Sequence, residues 1–166
     1  AKQGQRIAIS SNSHAAINNL LKKAKLTCAD AGVSGQVVKC SNSKEEAMGE
    51  AGIAVLKPGQ LDESSAVVGG TTWMFCREEL ADQFDLLVVD EAGQMSLANL
   101  LVMARCARSI LLVGDQQQLA QPSKADHPGD SGKSCLEFWM QGKPVVSNDR
   151  GVFLPTSWRM ETSLTA

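Results

Sequence analysis

Short apolar runs alternate with helical stretches from one end of the chain to the other. Residues 6–10 (Arg6-Ile7-Ala8-Ile9-Ser10) read as a strand. Ser13 is placed to cap a helix from His14 to about Lys25, with Ile17, Leu20 and Leu21 on one face. Val37-Val38 and Ile53–Leu56 are short strand candidates around a polar helix near 43–50, and Ala66–Val68 is a further strand stopped by Gly69-Gly70. The clearest strand, Leu86–Val89, is wholly apolar and ends in Asp90-Glu91. A helix at about 95–107 follows, with Leu97, Leu100, Leu101 and Ala104 at helical spacing, and then the strand Ile110–Val113, which ends in Gly114-Asp115. Apolar runs without period-two alternation, separated by helices, predict a parallel sheet covered on both faces. The expected fold is therefore an open α/β sheet with its functional residues at the carboxyl ends of the strands. Residues 115–133, rich in Gln, Pro, Asp, Gly and Ser, read as a long ordered loop. No repeat or linker divides the chain, so residues 1–166 form one expected domain.

Composition changes this picture little. The chain is 43% hydrophobic and 20% charged, as ordinary globular proteins are, and its net charge of −2 supplies no global field for nucleic acid. A binding groove needs only local positive or donor groups, so an acidic total does not exclude a nucleic-acid partner. The five cysteines are odd in number, widely spaced and free of any C-x-x-C pair, which argues against a zinc site or a disulfide framework. Reduced thiols, no membrane span and no signal-peptide pattern make a soluble cytoplasmic protein the expectation. Trp73 and Trp139 are expected in the core, where single tryptophans usually go.

The chemistry concentrates at two strand ends. Asp90-Glu91 delivers two carboxylates to the open edge of a sheet, which suits a magnesium contact and the polarisation of a water; two acids that simply face solvent are the competing reading. The next strand ends in Gly114-Asp115-Gln116-Gln117-Gln118-Leu119, and a glutamine there can donate to a terminal phosphate without carrying charge.

These residues resemble the superfamily 1 helicases of the Upf-one-like group, and most nearly the helicase half of bacterial RecB-like nuclease–helicase fusions. Ser10 to Leu20 looks like motif Ia, and Gly70-Thr71-Thr72-Trp73 like the threonine motif that contacts the strand. Asp90-Glu91-Ala92-Gly93-Gln94 looks like motif II, Gly114–Leu119 like motif III, and Arg150–Leu154 followed by Trp158-Arg159-Met160 like motif IV. The order and spacing cover essentially the whole chain. The resemblance implies a RecA-like motor domain that binds ATP and magnesium. In it Asp90 would anchor magnesium, through water, and Glu91 would be the general base. Gln94 and Gln118 would sense the γ-phosphate, and Arg159 would neutralise its developing charge. Ser11, Asn12, Thr71 and Thr72 would contact the backbone of single-stranded nucleic acid, DNA in preference to RNA. Lys22, Lys23 and Lys25 could add charge to that track, although a solvated helix face is the favoured reading.

The sequence departs from the family at two places. The phosphate-binding pattern G-x-x-x-x-G-K-[ST] occurs nowhere in it, and Glu161-Thr162 stands where relatives have His-Pro. Gly132-Lys133-Ser134 is a decoy, since the required first glycine is His127. The expectation is a RecA-like domain without its first strand and phosphate loop, whose partners would be that segment and a second RecA-like domain. The Ile110–Val113 strand should then have lost a neighbour and be free for a borrowed strand or self-association. Two alternatives remain open: a non-catalytic binding module derived from a helicase, and an unrelated α/β enzyme using Asp90 and Glu91 for metal-dependent hydrolysis.

Overall fold

The computed structural model describes residues 4–42, 51–115, 128–143 and 145–156. Six strands form one sheet, all pairings parallel: β1 (Ile7–Ser10), β2 (Gln36–Cys40), β3 (Ala54–Leu56), β4 (Ser65–Gly69), β5 (Phe84–Val89) and β6 (Ala107–Leu112), in the order β3-β2-β4-β1-β5-β6. The helices are α1 (His14–Asp30), α2 (Thr72–Phe75), α3 (Leu97–Ala104) and α4 (Cys135–Met140).

Alternate side chains of each strand point to opposite faces, and both faces are apolar. On one face Ile7, Ile9, Val37, Val67 and Val88 meet Ile17 and Leu21 of α1. On the other, Ala8, Val38, Val68, Leu87 and Val89 meet Met74 and Phe75 of α2 and Leu100 and Met103 of α3. This is the helix-covered parallel α/β architecture that the uninterrupted apolar runs predict, and it has the RecA-like form. Helix α1 begins as expected, with Ser13 Oγ accepting from Ala16 N at 3.1 Å. Ile17 and Leu21 are fully buried, each contributing about 1.5–3 kcal/mol. The helix runs on to Asp30, beyond the expected end near Lys25.

Three further differences have local causes. Leu101 is 61% exposed rather than packed. The inward arc of α3 centres between Leu100 and Met103, and at about 100° per residue Leu101 falls outside it. Strand β6 starts at Ala107, three residues early, because Phe84 N takes Cys106 O at 2.9 Å and Phe84 pairs with Ala107. In the expected loop 115–133, residues Gly129–Gly132 form a 3₁₀ turn. Residues 116–127, like the helix expected near 43–50, lie outside the described residues. The five cysteines are unbridged. Burial pushes the thiols of Cys40 and Cys106 up to about 12 and that of Cys135 up to about 11, so these three stay protonated at neutral pH. Among the described residues no helix is long and apolar enough to cross a membrane.

Strand β6 lies at the edge of the sheet and, among the described residues, pairs only with β5. Ile110 is 41% and Leu111 48% exposed, whereas Leu87 and Val89 of the adjoining β5 are fully buried. An apolar edge of this kind templates pairing with another chain. The chain is expected to self-associate with rising concentration in sedimentation equilibrium, and Ile110→Lys to shift it toward monomer. A monomer mass that holds across the concentration range would contradict this.

Candidate functional site

The direction of the connections locates the site. From β1 the chain runs through α1, on one face, toward β2; from β4 and β5 it runs the opposite way through α2 and α3, on the other face. The carboxyl ends of β1 and β5 are thus a topological switch point, where an open α/β sheet leaves a crevice for ligand. Ser10-Ser11-Asn12 leaves β1 at this point and Asp90-Glu91 leaves β5, with Asp90 N donating to Ser10 O at 2.9 Å.

The loop after β5 is held by its backbone. Glu91 adopts a left-handed conformation (φ 55°), uncommon for a residue with a side chain and frequent where function constrains the backbone. Ala92 N donates to Val113 O and Gln94 N to Glu91 O, both at 2.9 Å, so the loop is clamped against the end of β6. Ala92 and Gly93 are buried, while Asp90, Glu91 and Gln94 stay half-exposed and open to a ligand. Gly114 lets the two strand ends close up, because a Cβ there would lie 2.8 Å from Ala92 N. Across the crevice Asn12 Nδ2 donates to Gln94 Oε1. Ser11 is buried, and the Ser10 hydroxyl, fully buried, has no hydrogen-bond partner among the described residues.

The expected site residues are therefore brought together in part. Asp90, Glu91 and Gln94 share one edge with Ser11 and Asn12. Thr71 and Thr72 follow β4 beside them, since Gly70 N donates to Ile9 O at 3.0 Å. Thr71 stands at the N-cap of α2 without using its hydroxyl to cap. The strand feeding Gly114-Asp115 ends at the same edge as Asp90, but Gln118 and Arg159 lie outside the described residues.

Several expectations are corrected. Trp73 is 79% exposed and Trp139 50%, so neither belongs to the core. In α2 the inward positions are taken by Met74 and Phe75, which turns Trp73 outward. The ring of Trp139 is covered instead by the Arg150 guanidinium, 5.7 Å from its centroid. Lys25 is committed to the carbonyls of Ala51 and Gly52, whereas Lys22 and Lys23 are exposed. The decoy is a helix cap: Ser134 Oγ accepts from Glu137 N at 3.1 Å, and Lys133 pairs with Asp130 at 2.7 Å. Sequence reasoning did not find the Asn12–Gln94 bond. The one signal for it was that the amides of Asn12 and Gln94 sit two and five residues past the ends of candidate strands.

The chain thus brings paired acids and amides to the switch point of a parallel sheet. Residues 59–122 match the family model of an AAA domain, one of the superfamily 1 helicase type, and the match spans the stretch from Thr71 to Gln118. No curated protein matches the chain.

Proposed function

We propose that the chain is part of the first motor domain of an ATP-driven superfamily 1 helicase, holding the Asp-Glu half of the nucleotide site and half of the single-strand track. The observation that carries this reading is the meeting of the carboxyl ends of β1 and β5, where Asp90 N donates to Ser10 O and the Asn12–Gln94 bond joins the two loops. Asp90, half-exposed on a clamped loop, suits a magnesium ion held through water, because magnesium keeps most of its hydration and takes one or two carboxylates. When bound, the ion neutralises charge on the phosphates. Glu91 is the base that orients and deprotonates the attacking water, and its fixed left-handed backbone sets the direction of the carboxylate. Gln94 reads the terminal phosphate, as Gln118 would, and Arg159 would stabilise the charge developing there. Ser11, Asn12, Thr71 and Thr72 bind the backbone of the single strand, DNA ahead of RNA, with neutral donors that read no sequence.

Since the 166 residues contain no G-x-x-x-x-G-K-[ST] segment, the chain alone is expected to show no ATP turnover above background, with or without magnesium. It should bind oligo(dT) weakly, the affinity falling as salt rises. Robust turnover abolished by Glu91→Gln would show that the lysine loop is dispensable. Tight binding that persists in high salt would contradict a contact set made to phosphates.

A further inference from the structure

Trp73 is 79% exposed, yet the residues on either side of it are fixed. Met74 and Phe75, 8% and 1% exposed, anchor α2 in the core, and the Trp73 carbonyl accepts from Cys76 Sγ at 3.3 Å. An indole has a large apolar face, and leaving it in water on a rigid backbone forgoes its burial. Its place in the fold is specific. Gly69 is level with Ile9 in the sheet, so Thr71-Thr72-Trp73 leaves the carboxyl edge level with Ser11-Asn12. The exposed ring thus belongs to the residue that directly follows Thr71-Thr72, at the same sheet edge as Ser11-Asn12. The contrast with Trp139 is informative: that ring already carries a guanidinium on its face, whereas no aromatic or cationic group is stacked on Trp73 among the described residues.

We infer that Trp73 is a base-stacking platform of the single-strand track, receiving the face of an unpaired nucleobase whose flanking phosphates lie on Ser11, Asn12, Thr71 and Thr72. This rests on the single-strand reading of the site and adds to it a contact that charge and hydroxyl chemistry do not supply. Every base has a π-face, so such a contact tolerates sequence, yet it requires an unpaired base and thereby favours single strands over duplex. It adds affinity without adding charge.

The experiment uses the chain with Trp139→Phe and Trp158→Phe, which leaves Trp73 as the only tryptophan. Oligo(dT) titrated at low salt is expected to quench its emission in step with binding followed by anisotropy of a labelled strand. Trp73→Ala should weaken binding about 5- to 150-fold and leave the slope of log affinity against log salt unchanged, because no phosphate contact is lost. Trp73→Phe should recover much of the loss, and an abasic strand should bind the unsubstituted chain as poorly as oligo(dT) binds Trp73→Ala. Binding with unaltered emission and an unaffected Trp73→Ala variant would overturn the stacking role while leaving the single-strand reading standing. No binding of any oligonucleotide at low salt would overturn both.

Discussion

Phe84→Ala is expected to destabilise the chain by about 3–5 kcal/mol, the range for removing a large aromatic from a packed core. Phe84 opens β5 and is 1% exposed. Its ring meets Phe75 edge-on, with centroids 5.6 Å apart and planes at 90°, and the Arg6 guanidinium lies 5.2 Å from its centroid. Truncation therefore removes the contact that ties β5 to α2, and it leaves a cavity that α2, only four residues long, cannot fill by moving. Domains of ordinary stability hold about 5–15 kcal/mol in total, so the variant should lose a large part of its folded population. Urea unfolding followed by far-ultraviolet circular dichroism measures it. A loss below about 1 kcal/mol would mean that the Phe75–Phe84 contact is not part of the packed core.

The second large effect is expected at Gly114→Ala. The added Cβ would lie 2.8 Å from Ala92 N and 3.2 Å from Gly93 N, both backbone atoms that no side-chain rotation can relieve. Either the end of β6 or the Asp90–Gln94 loop must move, and the Ala92 N to Val113 O bond is the first to be lost. Overpacking plus an unmet buried donor cost about 3 kcal/mol, which corresponds to a fall of roughly 6–12 °C in melting temperature for a domain of this size. Faster hydrogen exchange at the Ala92 amide distinguishes the displaced loop from global loss of stability. An unchanged melting temperature and unchanged exchange would show that the two strand ends are not clamped as described.

The parallel sheet was legible because Leu86–Val89 is apolar without alternation, the pattern of a strand covered on both faces; Ile110–Val113 carries the same pattern although Ile110 and Leu111 stay exposed at the sheet edge. The start of α1 was legible for a different reason, the local bond from Ser13 to Ala16. What escaped depends on contacts between distant residues. Helices α2 and α4, of four and six residues, are too short to set up a period. The early start of β6 follows from pairing with Phe84, which no local pattern records. Asp90 and Glu91 stood out as acids ending an apolar run, but the Asn12–Gln94 bond joins residues 82 positions apart. The exposure of Trp73 ran against composition, since an indole that gains nothing by folding has no signature in the sequence around it.

The strand order also governs how the chain acquires its fold. Strand β1 lies in the middle of the sheet, yet Ile7 pairs with Val67 on one side and Leu86 on the other, separations of 60 and 79 residues. Among the described residues no β-hairpin starts the sheet, because every strand pairing is parallel. Closing such loops costs entropy before any contact repays it, so folding belongs to the slower, high-contact-order regime, while α1 can form locally within microseconds. At a synthesis rate of about 5–20 residues per second, roughly 4–16 s separate the appearance of Ile7 from that of Leu86. Until Val67 emerges the future centre of the sheet is an unpaired apolar strand, and its second edge stays open until β5 follows, so a ribosome-bound nascent chain must keep Ile7–Ser10 from pairing with its neighbours on the polysome.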